Sequence, residues 1–419
     1  ETRKTGGRGD FGRPVFQPLT SRAPFQARAL ARARPNTAGL LQSGAFSALK
    51  RRYIPTICRS EGMRKLLATT MMLLMMTAAL AGCAGDDDEE AASTLDVILD
   101  RGEMWCGVKD SQFGMGYLNP DGTYSGLDIE YCKAVAAAIG LNPETDVVYK
   151  LATGSNRFDL LASGEIDVLI RTTTWTTSRD ADLNADFAGM NFFDGQGILV
   201  NTDAYEDAPG SALDLNGANI CVGIGTTTEG NIADYFAVNG MTYTAVNSDN
   251  AGAAKASFEA GECDAWTGDM SAMVAQKWGL DTTAVPNSAI MPELLSKEPL
   301  GAATRDNDDD WNDVVAWVWY GMITAEEYGL TMANHGAADM TIPANDRLLA
   351  QNLGLGTEDN PLPSDWMGRV LNAVGNYGEA YDRSFCDGDG THSNCLIDRA
   401  GTANDLAGNG GLQFAPPMR

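Results

Sequence analysis

The amino-acid sequence predicts an α/β protein folded as two lobes, and three observations lead there. Short apolar runs alternate with segments of helical period from Thr94 onward. A polar stretch, "TDAYEDAPGSALDLNG" (202–217), then interrupts the pattern. After it the same order of runs begins again. Strands alternating with helices at this spacing call for a mainly parallel sheet covered on both faces, so a repeated pattern means two such sheets.

The first lobe (94–201) opens with "EMWCGVK" (103–109), an apolar run that reads as a strand. "GLDIEYCKAVAAAIG" (126–140) sets Leu127, Tyr131, Val135 and Ile139 near one face of a helix, with Gly140 as its stop. "DVVYKLA" (146–152) is a second strand, "NRFDLLASGE" (156–165) a helix and "IDVLI" (166–170) a third strand, and the lobe ends on "GQGILVN" (195–201). The second lobe (202–299) repeats this with strands "ANICVGIG" (218–225), "TYTAV" (242–246) and "CDAWTGD" (263–269). Helices "TEGNIADYFAVNG" (228–240) and "NAGAAKASFEAGE" (250–262) lie between them. "PLGAATRDND" (299–308) is expected to return the chain to the first lobe, completed by residues 300–330. There a helix from Asp309 to Tyr328 presents Trp311, Val315, Val318 and Met322 as core. Residues 331–419 are rich in Gly, Asn and Asp, carry one expected helix over Trp366–Tyr377, and read as an extension packed on the first lobe. A cleft between two such lobes is where a ligand is expected.

Upstream the chain changes character. Residues 1–62 are Arg-rich, hold only Glu1, Asp10 and Glu61 as acids, and contain no methionine. They read as translated upstream sequence from a misplaced start, with a basic targeting extension as the alternative. "MRKLLATTMMLLMMTAALAG" (63–82) has two basic residues, a short apolar run and a small-residue finish, which together make a secretory signal peptide. Leu80-Ala81-Gly82-Cys83 resembles a bacterial lipobox. That resemblance implies a diacylglycerol on the Cys83 thiol. Each buried CH₂ contributes roughly 0.8 kcal/mol, so two chains anchor firmly where one does not. An acidic tether (83–93) containing "DDDEE" follows. The expected location is therefore extracytoplasmic, in a periplasm or at a cell surface, with a lipid anchor to a membrane.

Of the 30 basic and 56 acidic residues, 14 and 3 fall in 1–82, which leaves a net charge near −37 from Cys83 onward. Such a charge argues against nucleic acid or anionic membrane surfaces as partners. Beside Cys58 and Cys83 there are six cysteines: Cys106, Cys132, Cys221, Cys263, Cys386 and Cys395. An even number in an exported chain predicts disulfides, for which six cysteines allow 15 connectivities. Joining nearest neighbours gives Cys106–Cys132, Cys221–Cys263 and Cys386–Cys395. No C-x-x-C pair occurs and the only histidines are His335 and His392, so neither a metal nor another cofactor is expected.

Two stretches carry candidate binding chemistry. "RTTTWTTSRD" (171–180) follows an apolar strand and packs five threonines and a serine between two guanidinium groups, which bind carboxylates through a planar fork of donors. A Ser/Thr-rich turn capping the next element explains the hydroxyls equally well. "GTTTEG" (225–230) runs from a strand into a helix, so its N–H groups and the helix dipole favour an anion. A capping box of Thr226 with Glu229 accounts for the same residues, and Thr227 remains to complete a carboxylate clamp.

The stretches "TTWTTSRD", "NFFDGQG", "GTTTEGNIADYF", "KEPLG", "VGNYGEAYDR" and "GGLQFAPPMR", in this order, resemble the general L-amino-acid-binding proteins of ABC transporters. The resemblance runs from about Ser93 to Arg419 and implies a two-lobe, type II periplasmic-binding-protein-like fold. It implies that Arg179 binds the ligand α-carboxylate, that Thr172 and Thr174 line the cleft, and that Asp269 takes the ligand ammonium. Without the resemblance Asp269 reads equally as the N-cap of "MSAMVAQKWG" (270–279). Phe113 matches a position where the family commonly puts an aromatic. Trp175 reads as a ligand contact or as core, Asp110 and Glu229 as polar contacts, and Arg171 as a surface ion-pair partner or a ligand contact. The lipobox departs from the freely diffusing members of the family.

The expected function is capture of free L-amino acids and delivery to an ABC permease, without catalysis, by a monomer whose lobes close on the ligand. Two other functions fit the same scaffold: an exported dehydratase-like enzyme, and the ligand-sensing subunit of a receptor.

Overall fold

The computed structural model describes residues 92–419. The upstream segment, the signal peptide and the Cys83 lipobox lie outside these residues. In chain order, α1 (Thr94–Arg101), β1 (Met104–Val108), β2 (Ser111–Gln112), β3 (Gly116–Leu118), β4 (Tyr124–Ser125), α2 (Leu127–Ala138), β5 (Val147–Leu151) and α3 (Arg157–Ala162) come first. Next are β6 (Val168–Leu169), α4 (Thr177–Asp182), β7 (Ala185–Asp194) and β8 (Gln196–Asn201). They are followed by β9 (Asn219–Gly223), α5 (Thr227–Val238), β10 (Thr244–Ser248), α6 (Ala251–Glu259), β11 (Ala265–Asp269) and α7 (Met270–Trp278). The remaining elements are β12 (Ser288–Ile290), β13 (Glu298–Arg305), α8 (Asp309–Glu327), α9 (Pro343–Ala350), α10 (Trp366–Val374) and α11 (Tyr377–Phe385).

Two five-stranded sheets result, ordered β5-β1-β6-β13-β7 and β10-β9-β11-β8-β12. In each, three parallel strands are followed by one antiparallel strand and an outer strand that reverses again. The repeat in the sequence is thus a repeat in topology. β8, expected to end the first lobe, instead pairs with β11 of the second sheet. The chain changes lobes between Asp194 and Gln196 and returns through residues 291–297 into β13.

Alternation of side chains builds the second lobe. Ile198, Val200, Ile220, Val222 and Ala265 face one core with Phe236, while Leu199, Cys221 and Trp266 face another with Phe258. A strand buried on both faces reads as a continuous apolar run, which is how these segments look in the sequence. In the first lobe α8 lies against the sheet with Trp311, Val315, Val318 and Met322 buried. The Trp311 indole N–H donates to Asp167 O at 3.0 Å.

The extension (331–419) joins the core of the first lobe through Trp366, Val370, Tyr377 and Phe385. The single helix expected over Trp366–Tyr377 is two helices. Gly375, at φ 71°, ends α10, and Asn376 with Glu379 forms a capping box that starts α11. α9 was not predicted, because its pattern is weakly apolar.

The disulfides join Cys106–Cys132, Cys221–Cys263 and Cys386–Cys395. The first ties β1 to α2, and the second ties β9 to the turn before β11. Replacing Cys106 and Cys132 together by Ala is expected to lower stability by about 2–4 kcal/mol, since the loop they close regains entropy when unfolded. Urea unfolding reads this directly, and an unchanged midpoint would show that the bridge adds nothing.

Candidate functional site

The cleft forms where parallel strands end. Lys109 follows β1, Arg171 follows β6, Thr226 and Thr227 follow β9, and Asp269 closes β11. This carboxyl edge is where α/β sheets hold ligands, because loops diverge there and helix N-termini point inward. One cavity between the lobes is lined by Lys109, Arg157, Arg171, Thr172, Thr174 and Arg179 from the first lobe. Thr226, Thr227, Asn250, Trp266 and Asp269 line it from the second.

Six predicted site residues therefore meet: Arg179, Asp269, Thr172, Thr174, Thr226 and Thr227. The two predicted aromatics lie elsewhere. Phe113 stacks on Trp278 with centroids 4.6 Å apart, in an adjoining cavity that Asp110 also lines. Trp175 stacks on Phe187 at 5.4 Å and packs with the cluster of Ala152, Leu161 and Ile166 rather than lining the cavity.

Arg179 sits in α4, whose N-cap Thr176 accepts from the Arg179 N–H. Its guanidinium donates to Thr174 O at 2.8 Å and stands 5.6 Å from the Phe158 ring centre. Burial lowers its pKa below the ordinary guanidinium range, while Glu298 and Asp269 oppose that. Thr172 is a β-branched residue at φ 38°, a costly conformation, and its buried hydroxyl has no hydrogen-bond partner.

Thr174 and Thr227 meet across the cleft, their hydroxyl oxygens 3.3 Å apart. Both donate to the buried Glu298 carboxylate, at 2.6 and 2.7 Å, and Asn231 donates to its other oxygen at 2.7 Å. The Thr227 hydroxyl expected for a ligand clamp is therefore engaged in joining the lobes. Thr226 caps α5 as expected, accepting from Glu229 N at 3.3 Å. The Glu229 carboxylate accepts from Gly225 N rather than Thr226 N, so the capping box is only half formed.

Asp269 occupies the N-cap position of α7, yet its side chain makes no capping hydrogen bond. Its carboxyl is raised above the usual range by burial, with Lys109 opposing and Glu298 reinforcing the rise. Behind it Asp194 is pushed up to about 7 by burial and by Asp269, while accepting from Gly195 N at 2.8 Å.

The lobes touch at several further points. Gln112 Nε2 donates to Ser271 Oγ at 2.9 Å, and Gln276 Nε2 to Ser111 O at 2.8 Å. Gly154 of the first lobe lies against Ile224 of the second, so a Cβ there would stand 2.6 Å from the Ile224 carbonyl oxygen. Gly154→Ala is expected to hold the lobes apart and weaken ligand binding about tenfold, roughly 1.4 kcal/mol, with stability little changed. Scattering would show a more open ligand-bound form, and wild-type affinity would rule the contact out.

Three residues of the site were not identified from the sequence. Lys109 and Arg157 look like parts of a strand and a helix, and Glu298 lies in the family-matching stretch "KEPLG" with no role assigned to it. Lys109 was accessible through its position directly after a strand end. The role of Glu298 was not, because apart from the neighbouring Ser296 its partners lie 67, 71 and 124 positions away.

Residues 104–335 match the model of the bacterial extracellular solute-binding proteins, family 3. The chain belongs to that family. This family 3 protein is 41% identical over 333 residues to the glutamate/glutamine/aspartate/asparagine-binding protein of Rhodobacter capsulatus, with 78% of this chain and 94% of that one covered. It is 40% identical over 331 residues to the general L-amino acid-binding periplasmic protein of Rhizobium johnstonii, covering 78% and 93%. Its fold is similar, at TM-score 0.71 and 40% identity, to an ABC transporter periplasmic binding protein from Brucella ovis with glutathione bound. That likeness covers 78% of this chain and 100% of the other. The type II two-lobe fold expected from the sequence is the fold of this solute-binding protein.

Proposed function

We propose that this family 3 solute-binding protein captures a free L-amino acid outside the cytoplasm and delivers it to an ABC permease. The observation that carries the reading is the meeting of Arg179 and Asp269 in one cavity, from different lobes. An α-amino acid carries a carboxylate and an ammonium on one carbon, so its zwitterion bridges the two lobes and favours the closed state by contacts available only there. The Rhodobacter and Rhizobium relatives, named for amino-acid binding, support the same ligand class.

The protein acts as a monomer and without catalysis. A dehydratase-like role needs an acid or base poised at the ligand. Asp194 has a suitable pKa, but Gly195 and Ser271 N–H groups hold its carboxylate at the lobe crossover. Calorimetry with an amino acid and its amide tests the reading, and equal affinity for both would remove Arg179 from its role. The lipid anchor is tested separately. Cys83→Ala is expected to move the protein from the detergent phase to the aqueous phase or leave it unprocessed, and identical partitioning would end the anchor reading.

A further inference from the structure

Beyond the pair that meets the zwitterion, the cleft holds more positive charge than an α-amino group and α-carboxylate require. Arg157 is 2% exposed and Arg171 7%, and the Nε of each has no hydrogen-bond partner. Arg157 makes one contact across the cleft, Nη2 to Gly225 O at 3.3 Å. Among the described residues, no ion pair within 4.0 Å involves Lys109, Arg157, Arg171 or Arg179.

Asp269, Asp128 and Asp110 favour the charged form of Arg171, yet among the described residues none of them is within ion-pairing distance of these cations. Asp269 faces them but belongs to the ammonium in the reading above. Asp249 lines the cavity from an exposed position. Asp128 is buried behind Arg171, where it accepts from Thr172 N at 3.1 Å and Asn191 Nδ2 at 3.4 Å. Glu298 is occupied by Thr174, Thr227 and Asn231. The N-termini of α5 and α6 open on the same cavity through Thr227 and Ala251, adding positive potential. Buried like charges with few partners are costly, and an anion placed among them removes much of the cost.

We propose that Arg171, Arg157 and Lys109 form a second anion subsite in the cleft, which takes the side-chain carboxylate of a dicarboxylic amino acid. This inference rests on the zwitterion reading and deepens it. The Rhodobacter relative is named for both acids and amides and the Rhizobium one for L-amino acids in general, so family membership leaves the side-chain charge undecided. Burial is the largest cause lowering the pKa of each of the three, and the neighbouring guanidiniums add to it. A side-chain carboxylate reverses that balance, whereas a neutral carboxamide of equal size gives only partial compensation.

Titration calorimetry of the wild-type protein with L-glutamate, L-glutamine, L-aspartate and L-asparagine is the test. Each acid is expected to bind at least ~30-fold more tightly than its amide, about 2 kcal/mol. Arg171→Gln is expected to collapse that ratio towards one. Equal affinity for acid and amide in the wild type would overturn the subsite while leaving the zwitterion reading intact. Failure of all four ligands to bind would overturn the subsite, and the zwitterion reading falls only when no L-amino acid binds. A ratio unchanged in Arg171→Gln would remove Arg171 from the subsite. Should that variant not fold, Arg157→Gln gives the same measurement, and the wild-type ratio decides without either.

Discussion

Arg179→Ala is expected to weaken binding of an L-amino acid by roughly 30-fold to several thousand-fold, on about 1.4 kcal/mol per decade. The guanidinium is buried, oriented by its bond to Thr174 O, and held over Phe158. A charge-assisted contact in such surroundings is strong, and removing one partner leaves the ligand carboxylate unpaired at about 2–5 kcal/mol. Arg179→Lys should recover only part of the loss, because an ammonium cannot reproduce a planar fork of donors. Amino-acid amides and decarboxylated amines should bind the wild type poorly and lose little more in Arg179→Ala. Calorimetry across this set reads the prediction, and a variant that keeps wild-type affinity for the amino acid would contradict it.

What could be seen in the sequence followed local periodicity. The parallel strands of both sheets are legible because each falls within a short, largely apolar run bounded by turn residues, and α2 because Leu127, Tyr131 and Val135 share a face. β7, with its interior Gly189 at φ 88°, shows no such run and was not predicted. The assignment of β8 to the wrong lobe has a similar cause. Pairing partners are long-range, and nothing in "GQGILVN" says whether it meets β7 or β11.

The site divides in the same way. The two short motifs, Thr172 to Arg179 and Thr226 to Thr227, stand out because hydroxyls cluster there after a strand, and the family resemblance supplied the roles of Arg179, Thr172 and Thr174. Trp175 lies in the same motif but points to Phe187, which no spacing along the chain reveals. The placement of Phe113 depends on Trp278, 165 positions away in the other lobe. Glu298 is the clearest example. Its importance comes from Thr174, Thr227 and Asn231 converging on one carboxylate, a property of closure rather than of any segment.

The partner charge gives a second large effect, with a pH signature. Lys109, Arg171 and Arg157 favour the ionised form of Asp269, while Glu298 and Asp194 carry like charge near it. Burial holds its carboxyl above the usual carboxylate range. An ammonium brought beside it favours the ionised form and so lowers that pKa. Binding must then release protons wherever the unliganded carboxyl is partly protonated, and affinity must fall as pH drops through the raised pKa. Asp194, pushed up to about 7 by burial and by Asp269, titrates with it, so the release belongs to the pair. Asp269→Asn removes the counter-charge and is expected to weaken amino-acid binding at least ~30-fold at pH 7.5, since the ammonium is left without its partner. The variant should also lose most of the proton release, and Asp194, freed from a like charge, should titrate lower. Calorimetry at pH 6 in two buffers of different ionisation heat measures the protons directly. Tight binding by Asp269→Asn with undiminished proton release would place the ammonium elsewhere in the cleft.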